Sequence, residues 1–143
     1  RAIEFVSHRA AGPELLAECR TLGGCPAGSA KITRGYRLPA KHVIHAVGPV
    51  WRGGGHGEAD LLTTCYAIAL EIAGDAGLQS IAFPAISTGV YRFPADIAAD
   101  IAVNVVAAEL SRWPRAFERV VFCCFSQESA EHHMKALADL GTT

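Results

Sequence analysis

The sequence predicts an α/β domain with a mixed, largely parallel sheet. Short apolar runs with the composition of strands occur at residues 42–47, 80–85 and 120–125. The stretches between them are long enough for helices, and apolar residues recur in them every three to four positions. Strands that alternate with helices in this way favour parallel pairing. The chain has 143 residues, half of them hydrophobic, which is enough for one domain with a core.

The first half of the chain is predicted from local signals. Pro13 suits the first turn of a helix, and Gly23 suits its end. Residues 31–34 indicate a short edge strand, and alternating β-branched residues predict the next strand at 42–47. The glycine-rich segment 51–57 is predicted to be a loop.

Three later helices are predicted at residues 58–76, 94–112 and 128–140 from their apolar periodicity. The strands 80–85 and 120–125 lie between them and are predicted to be buried. The inward positions are predicted to be Leu62, Tyr66, Ala69 and Ala73 in the first helix, Ile97, Ile101, Val105 and Ala108 in the second, and Met134 and Leu137 in the third.

Composition excludes some classes of function and sets the expected compartment. The formal net charge is −1, which argues against broad binding of nucleic acid because such binding needs a basic face. No apolar run reaches the length of a membrane span, and no signal-peptide pattern is found. Five cysteines without a C-x-x-C pair indicate buried, reduced thiols rather than zinc ligands. We therefore expect a cytoplasmic protein without a membrane partner, a metal or a cofactor.

Other clusters of polar or small residues have structural interpretations. Gly53–Gly57 resembles a phosphate cradle but lacks the Gly-Lys-Ser/Thr ending of a P-loop, so a flexible connection is predicted. His42 and His45 lie on the same predicted strand, and core positions are predicted for them. His132 and His133 are predicted to be solvated.

The segment Ser80–Pro94 carries the main functional signal. A strand breaks at Pro84, continues into Ser87-Thr88-Gly89-Val90-Tyr91, and is followed by a helix start. Hydroxyls and a glycine between a strand and a helix are typical of a phosphate site, because main-chain N–H groups can approach an anion there. Glycine at position 89 also tolerates a positive φ. An ordinary strand–helix loop with an exposed tyrosine explains the same residues.

The order of motifs resembles the macrodomain family of ADP-ribose-binding modules, in its MacroD-like, O-acetyl-ADP-ribose deacetylase branch. The motifs are Gly35–Ala40, His42–Pro49 with Trp51, Glu58, Cys65-Tyr66 and the Ser87–Tyr91 loop. The resemblance runs from about His8 to Phe125 and implies a three-layer α/β/α fold. It also implies that Ser87, Thr88, Gly89, Val90 and Tyr91 wrap the diphosphate and distal ribose, and that Phe125 packs on adenine.

The chain departs from the family before His8. Family members begin with two further strands and an asparagine-bearing loop, which are not found here, so we expect residues 1–143 to be a single macrodomain, N-terminally incomplete. One of those strands lies in the family between the strands matching 42–47 and 80–85, and its absence would leave two strand edges unpaired. A lost N-terminal part, exchange of a strand with another copy, or a rebuilt segment would each explain this.

The resemblance leaves three functions open. The first is hydrolysis of mono-ADP-ribosyl esters on acidic side chains, or of O-acetyl-ADP-ribose. The second is a reader that binds ADP-ribose without turnover, and the third is a phosphatase acting on phosphorylated ADP-ribose. A gapless alignment places Glu4 on the family's catalytic aspartate, while Arg1, Ala2 and Phe5 stand where the family has glycines. The expected partner is ADP-ribose or an ADP-ribosylated protein, and the oligomeric state is left open.

Overall fold

A computed structural model of the protein describes residues 12–113 and 117–140. The predicted helices and strands are found there, with boundaries within two residues of those expected from the sequence. In chain order they are α1 (Pro13–Thr21), β1 (Ala30–Arg34), β2 (His42–Ala46), α2 (Glu58–Asp75), β3 (Ser80–Pro84), α3 (Ala95–Arg112), β4 (Arg119–Cys123) and α4 (Gln127–Leu140). None of these helices is long and apolar enough to cross a membrane.

The strands form two ladders of opposite type. β1 pairs with β2 in antiparallel register, from Ala30 opposite Ala46 to Arg34 opposite His42. β3 pairs with β4 in parallel register, from Ser80 opposite Arg119 to Pro84 opposite Cys123. Within residues 12–113 and 117–140, no ladder joins β2 to β3. The mixed strand directions are therefore confirmed, and the described sheet consists of two halves.

A cavity of about 580 Å³ is lined by both β2 and β3. Residues 42–48 form one wall and residues 80–87 the other, so the cavity follows both strands along their length. It lies where the family resemblance predicts two unpaired strand edges.

The core is built where α2 and α3 pack over β3. The inward face predicted for α2 is confirmed, since Leu62, Tyr66, Ala69 and Ala73 are all buried. The main cluster of buried residues contains Leu62, Tyr66, Ala69, Leu70, Phe83, Phe93, Ala98, Ala102 and Val106. Aromatic contacts run through it, with ring centroids 5.0 Å apart for Tyr66 and Phe83 and 6.3 Å apart for Phe83 and Phe122.

The inward face predicted for α3 is confirmed for Ile101 and Val105, which pack against the core cluster, and wrong for the other two residues. Ile97 and Ala108 are exposed, while the alanine positions 98 and 102 are buried. Small alanine side chains let α3 approach α2 and α4 closely, so the larger isoleucine lies outside the contact.

The predictions for α4 and for the thiols also need correction. Met134 and Leu137 are exposed, whereas His133 and Ala136 are buried. Burial of His133 is stabilised because its Nδ1 donates to Ser129 O at 2.8 Å. All five cysteines are free thiols as predicted, but only Cys65 is buried, and Cys123 is exposed. β4 is half-buried rather than buried, with both of its end residues exposed.

Tyr66 links the core to the end of β3. Its hydroxyl donates to Pro84 O at 3.3 Å and accepts from Ile86 N at 3.4 Å. Burial raises the pKa of this phenol, so the hydroxyl stays protonated at neutral pH. Tyr66 therefore holds the chain at the point where β3 becomes a loop.

We expect Tyr66→Phe to lower the free energy of unfolding by about 1–3 kcal/mol, because two main-chain groups lose their buried partner. Urea denaturation measures this. Tyr36→Phe is the matched control, since the hydroxyl it removes donates to Glu18 Oε1 at an exposed position. Equal losses in the two variants would contradict a structural role for the buried hydroxyl.

Candidate functional site

The loop after β3 brings the predicted residues Ser87–Tyr91 together in one compact turn. Thr88 Oγ1 donates to Ala85 O at 2.8 Å, and Arg92 N donates to Gly89 O at 3.0 Å. Phe93 N donates to Ser87 O at 2.9 Å and closes the loop just before α3 begins. Hydrogen bonds within the loop and to its flanking residues therefore determine its conformation.

The left-handed positions of this loop are Ser87 and Arg92, with φ of 68° and 62°. Gly89 itself does not use the positive φ that glycine tolerates, since it is not among the glycines with positive φ. A Cβ added at Gly89 would meet nothing within 4 Å. Gly89 and Val90 are both exposed and form the open tip of the loop, so this glycine leaves room above the main chain.

The loop after β2 meets the loop after β3 at Gly48. A Cβ at Gly48 would lie 2.6 Å from Ile86 Cγ2 and closer still to Ser87 Oγ, so only glycine fits. Trp51 N donates to Tyr91 O at 2.8 Å a few residues further on. Sequence reasoning missed this role of Gly48, although a glycine between a strand and Pro49 was a visible signal.

Two polar atoms that line the large cavity have no hydrogen-bond partner among the described residues. They are Ser87 Oγ and His42 Nδ1, and both atoms are buried. Buried polar atoms normally find a partner, and an unpaired one calls for an explanation. Both residues line the cavity between β2 and β3, and Ser87 lies where β3 passes into the following loop.

Tyr91 lies between the large cavity and a second cavity of about 290 Å³. The second cavity is also lined by Gly48, Arg52, His56 and Glu58. Arg52 and His56 belong to the glycine-rich segment 51–57, which the sequence predicted to be a flexible connection. That segment is in fact held by hydrogen bonds to the carboxylate of Glu58.

The Glu58 carboxylate accepts three main-chain hydrogen bonds. Arg52 N and Gly54 N donate to Oε2 at 3.0 and 2.8 Å, and His56 N donates to Oε1 at 2.6 Å. Burial alone would raise the pKa of this carboxyl, but the N–H donors outweigh burial and lower the pKa to about 2. These N–H groups already have an anionic partner, so the loop does not serve as a phosphate cradle.

Phe125 lies two residues beyond β4 and is 80% exposed. Because β3 and β4 are parallel, with Pro84 opposite Cys123, Phe125 and the Ser87–Tyr91 loop follow the same edge of the sheet. Phe125 does not line the large cavity. Its exposure excludes a core role, and its position suits an aromatic platform at the carboxyl edge.

Glu4, the candidate catalytic residue, lies outside the described residues. Within the described ranges, no group of three or more histidine, cysteine or carboxylate side chains is placed to hold a metal ion. Of the described acidic residues, Glu58 is the one that lines either cavity.

Comparison with known proteins finds relatives that match nearly the whole chain at 50% identity or more. A Macro domain-containing protein of Mesorhizobium japonicum is 55% identical over 138 residues, covering 96% of this chain and 78% of the relative. A protein of Citrobacter rodentium named O-acetyl-ADP-ribose deacetylase is 50% identical over 143 residues, covering 97% of this chain and 80% of the relative.

Solved structures agree with this kinship. The Oceanobacillus iheyensis macrodomain with ADP superposes with a TM-score of 0.87 at 37% identity, covering 96% of this chain and 75% of that one. The Trypanosoma brucei macrodomain in complex with ADP-ribose gives 0.85 at 39% identity, covering 92% of this chain and 55% of that one. A sequence model described as "Macro domain" matches residues 3–102. The chain belongs to the Macro domain family.

Proposed function

We propose that this macrodomain binds ADP-ribose along the carboxyl edge of β3 and β4, with the diphosphate against residues 87–91 and the adenine on Phe125. The observation that carries the proposal is the compact Ser87–Tyr91 loop, which shares a sheet edge with an exposed aromatic side chain. The named ligands of the solved relatives, ADP and ADP-ribose, support it.

The loop offers what a diphosphate needs. Gly89 and Val90 form an exposed tip without a hindering side chain at position 89, and Ser87 Oγ has no partner among the described residues. The formal net charge of the whole chain is −1, so attraction of an anion has to be local, and main-chain N–H dipoles can supply it. Tyr91, between the two cavities, is then placed beside the distal ribose.

We infer further that the ligand is turned over, with the ester of O-acetyl-ADP-ribose or a mono-ADP-ribosyl ester on an acidic side chain as substrate. The name of the relative in Citrobacter rodentium supports the first of these. Hydrolysis adds water across the ester and needs that water held beside the distal ribose. A carboxylate or the ligand's own diphosphate would orient it. Glu4 is the proposed carboxylate, in a domain formed by residues 1–143 and acting in the cytoplasm.

A reader without turnover is the second candidate, and one observation favours it. Glu58 lines the second cavity beside Tyr91, but its three N–H donors lower its pKa to about 2. A carboxylate held so firmly ionised is a weak general base at neutral pH. If Glu4 does not reach the distal ribose, binding remains and catalysis is lost.

We expect Gly89→Glu to abolish ADP-ribose binding in calorimetry, because it adds bulk and negative charge where the diphosphate lies. Gly89→Ala is the control for the glycine itself and should bind nearly as well as wild type, since its Cβ meets nothing within 4 Å. Gly89→Gln has the same size as the glutamate without its charge and should fall between the two. Unchanged affinity in Gly89→Glu would refute the placement of the diphosphate.

Phe125→Ala should weaken ADP-ribose binding by about 1–3 kcal/mol, the range for stacking of a base on an aromatic side chain. Phe125→Tyr keeps the ring and should have almost no effect. Both variants should fold with unchanged stability because the side chain is exposed. Equal loss of affinity in both variants would contradict adenine stacking.

Turnover is tested on O-acetyl-ADP-ribose by measuring release of acetate. We expect Glu4→Gln to reduce kcat by orders of magnitude with little change in ADP-ribose affinity, since positioning of water contributes several kcal/mol to such a step. Binding without acetate release in the wild-type protein would identify the reader instead. Full activity in Glu4→Gln would remove Glu4 as the catalytic carboxylate.

A further inference from the structure

We propose that Glu58 is a positioning residue for the Ser87–Tyr91 loop, called the ligand loop below. Glu58 holds the Arg52–Gly57 segment, and this segment acts through Trp51 on Tyr91. This inference rests on the proposed function, because it assigns the orientation of the residue expected beside the distal ribose. Glu58 itself is 2% exposed and is the first residue of α2, so it is fixed to the core of the domain.

The first link is the carboxylate and the glycine segment that surrounds it. Gly53, Gly54 and Gly57 have φ of 93°, 92° and 75°, values that side chains disfavour. This left-handed path turns alternate N–H groups, those of Arg52, Gly54 and His56, toward the carboxylate. One buried charge therefore sets the path of the segment, and no other acidic side chain lines the second cavity among the described residues.

The second link is Trp51, which is connected to the segment through Arg52 and Gly54. Arg52, whose N–H donates to Glu58, is its neighbour in the chain. Gly54 also supports the indole, because a Cβ at this position would lie 2.9 Å from Trp51 Cη2. The indole also packs against Phe93, with ring centroids 4.8 Å apart.

The third link joins Trp51 to the ligand loop. Trp51 N donates to Tyr91 O at 2.8 Å, and Phe93 N donates to Ser87 O at 2.9 Å. Trp51 thus contacts the loop through the main chain of Tyr91 and through the ring of Phe93. A shift of the segment would be passed to Tyr91 and to the end of the loop, whereas Phe125 lies on a different connection, after β4.

The test compares ADP-ribose with AMP, which lacks the second phosphate and the distal ribose. Glu58→Gln preserves the shape of the side chain, but its amide NH₂ faces main-chain N–H donors that need an acceptor. We expect it to reduce the affinity for ADP-ribose by about tenfold or more, with the affinity for AMP changing by less than about twofold. Glu58→Asp keeps the charge and should recover part of the loss.

A structural control and a direct report of loop position complete the experiment. Val103→Ala removes buried volume in α3, about 12 Å along the helix axis from its first residue, and should leave the ratio of the two affinities unchanged. The chain has two tryptophans, so a Trp113→Phe background leaves Trp51 as the sole tryptophan, whose emission is excited selectively over that of the tyrosines. In that background, Glu58→Gln should shift the Trp51 emission and Val103→Ala should not.

The outcomes separate this inference from the proposed function. Equal loss for ADP-ribose and AMP, or no loss for either, would overturn the positioning role. If the wild-type protein does not bind ADP-ribose, the proposed function fails, and the fluorescence comparison alone decides the link from Glu58 to Trp51. An unchanged emission maximum in Glu58→Gln would then refute that link.

Discussion

The contact between Gly48 and the Ile86-Ser87 pair is the constraint on which the site depends. No ladder joins β2 to β3 among the described residues, so the two half-sheets meet through α2 and through this contact between their loops. The absence of a Cβ at Gly48 lets the two loops come into contact. The hydrogen bond from Trp51 N to Tyr91 O fixes their position relative to each other. The Ser87–Tyr91 loop is therefore oriented by both halves of the molecule.

The architecture was predictable because the spacing of apolar residues and the prolines and glycines at the ends of elements indicate the same helices and strands. Pro84 ends an apolar strand, and the inward face of α2 follows a clean helical period around Tyr66. Ile97 was misjudged in α3 because hydrophobicity favoured it, whereas close packing at this face favours alanine. His133 was misjudged because its partner, the carbonyl of Ser129, becomes visible only once the helix exists.

The positions of the candidate residues on the fold were predictable, whereas the contacts that hold them were not. Ser87–Tyr91 and Phe125 share a sheet edge, as expected from a parallel pair of strands. Glu58 is one of the motifs that carry the family resemblance, but no role could be assigned to it from the sequence, since an acidic residue in the first turn of a helix is ordinary. Its partners exist only because glycines 53 and 54 take left-handed conformations. Long-range contacts of this kind have no local signature.

The left-handed conformations of Ser87 and Arg92 bear on the kinetics of binding. Each non-glycine residue in this region costs roughly 1–2 kcal/mol, a cost that the hydrogen bonds to Ala85, Ser87 and Gly89 offset within the free protein. If this loop binds the diphosphate as proposed, the ligand meets a segment whose hydrogen bonds are already formed and loses little affinity to ordering it. Association rates should vary little among variants of the loop, so differences in affinity should lie in the lifetime of the complex.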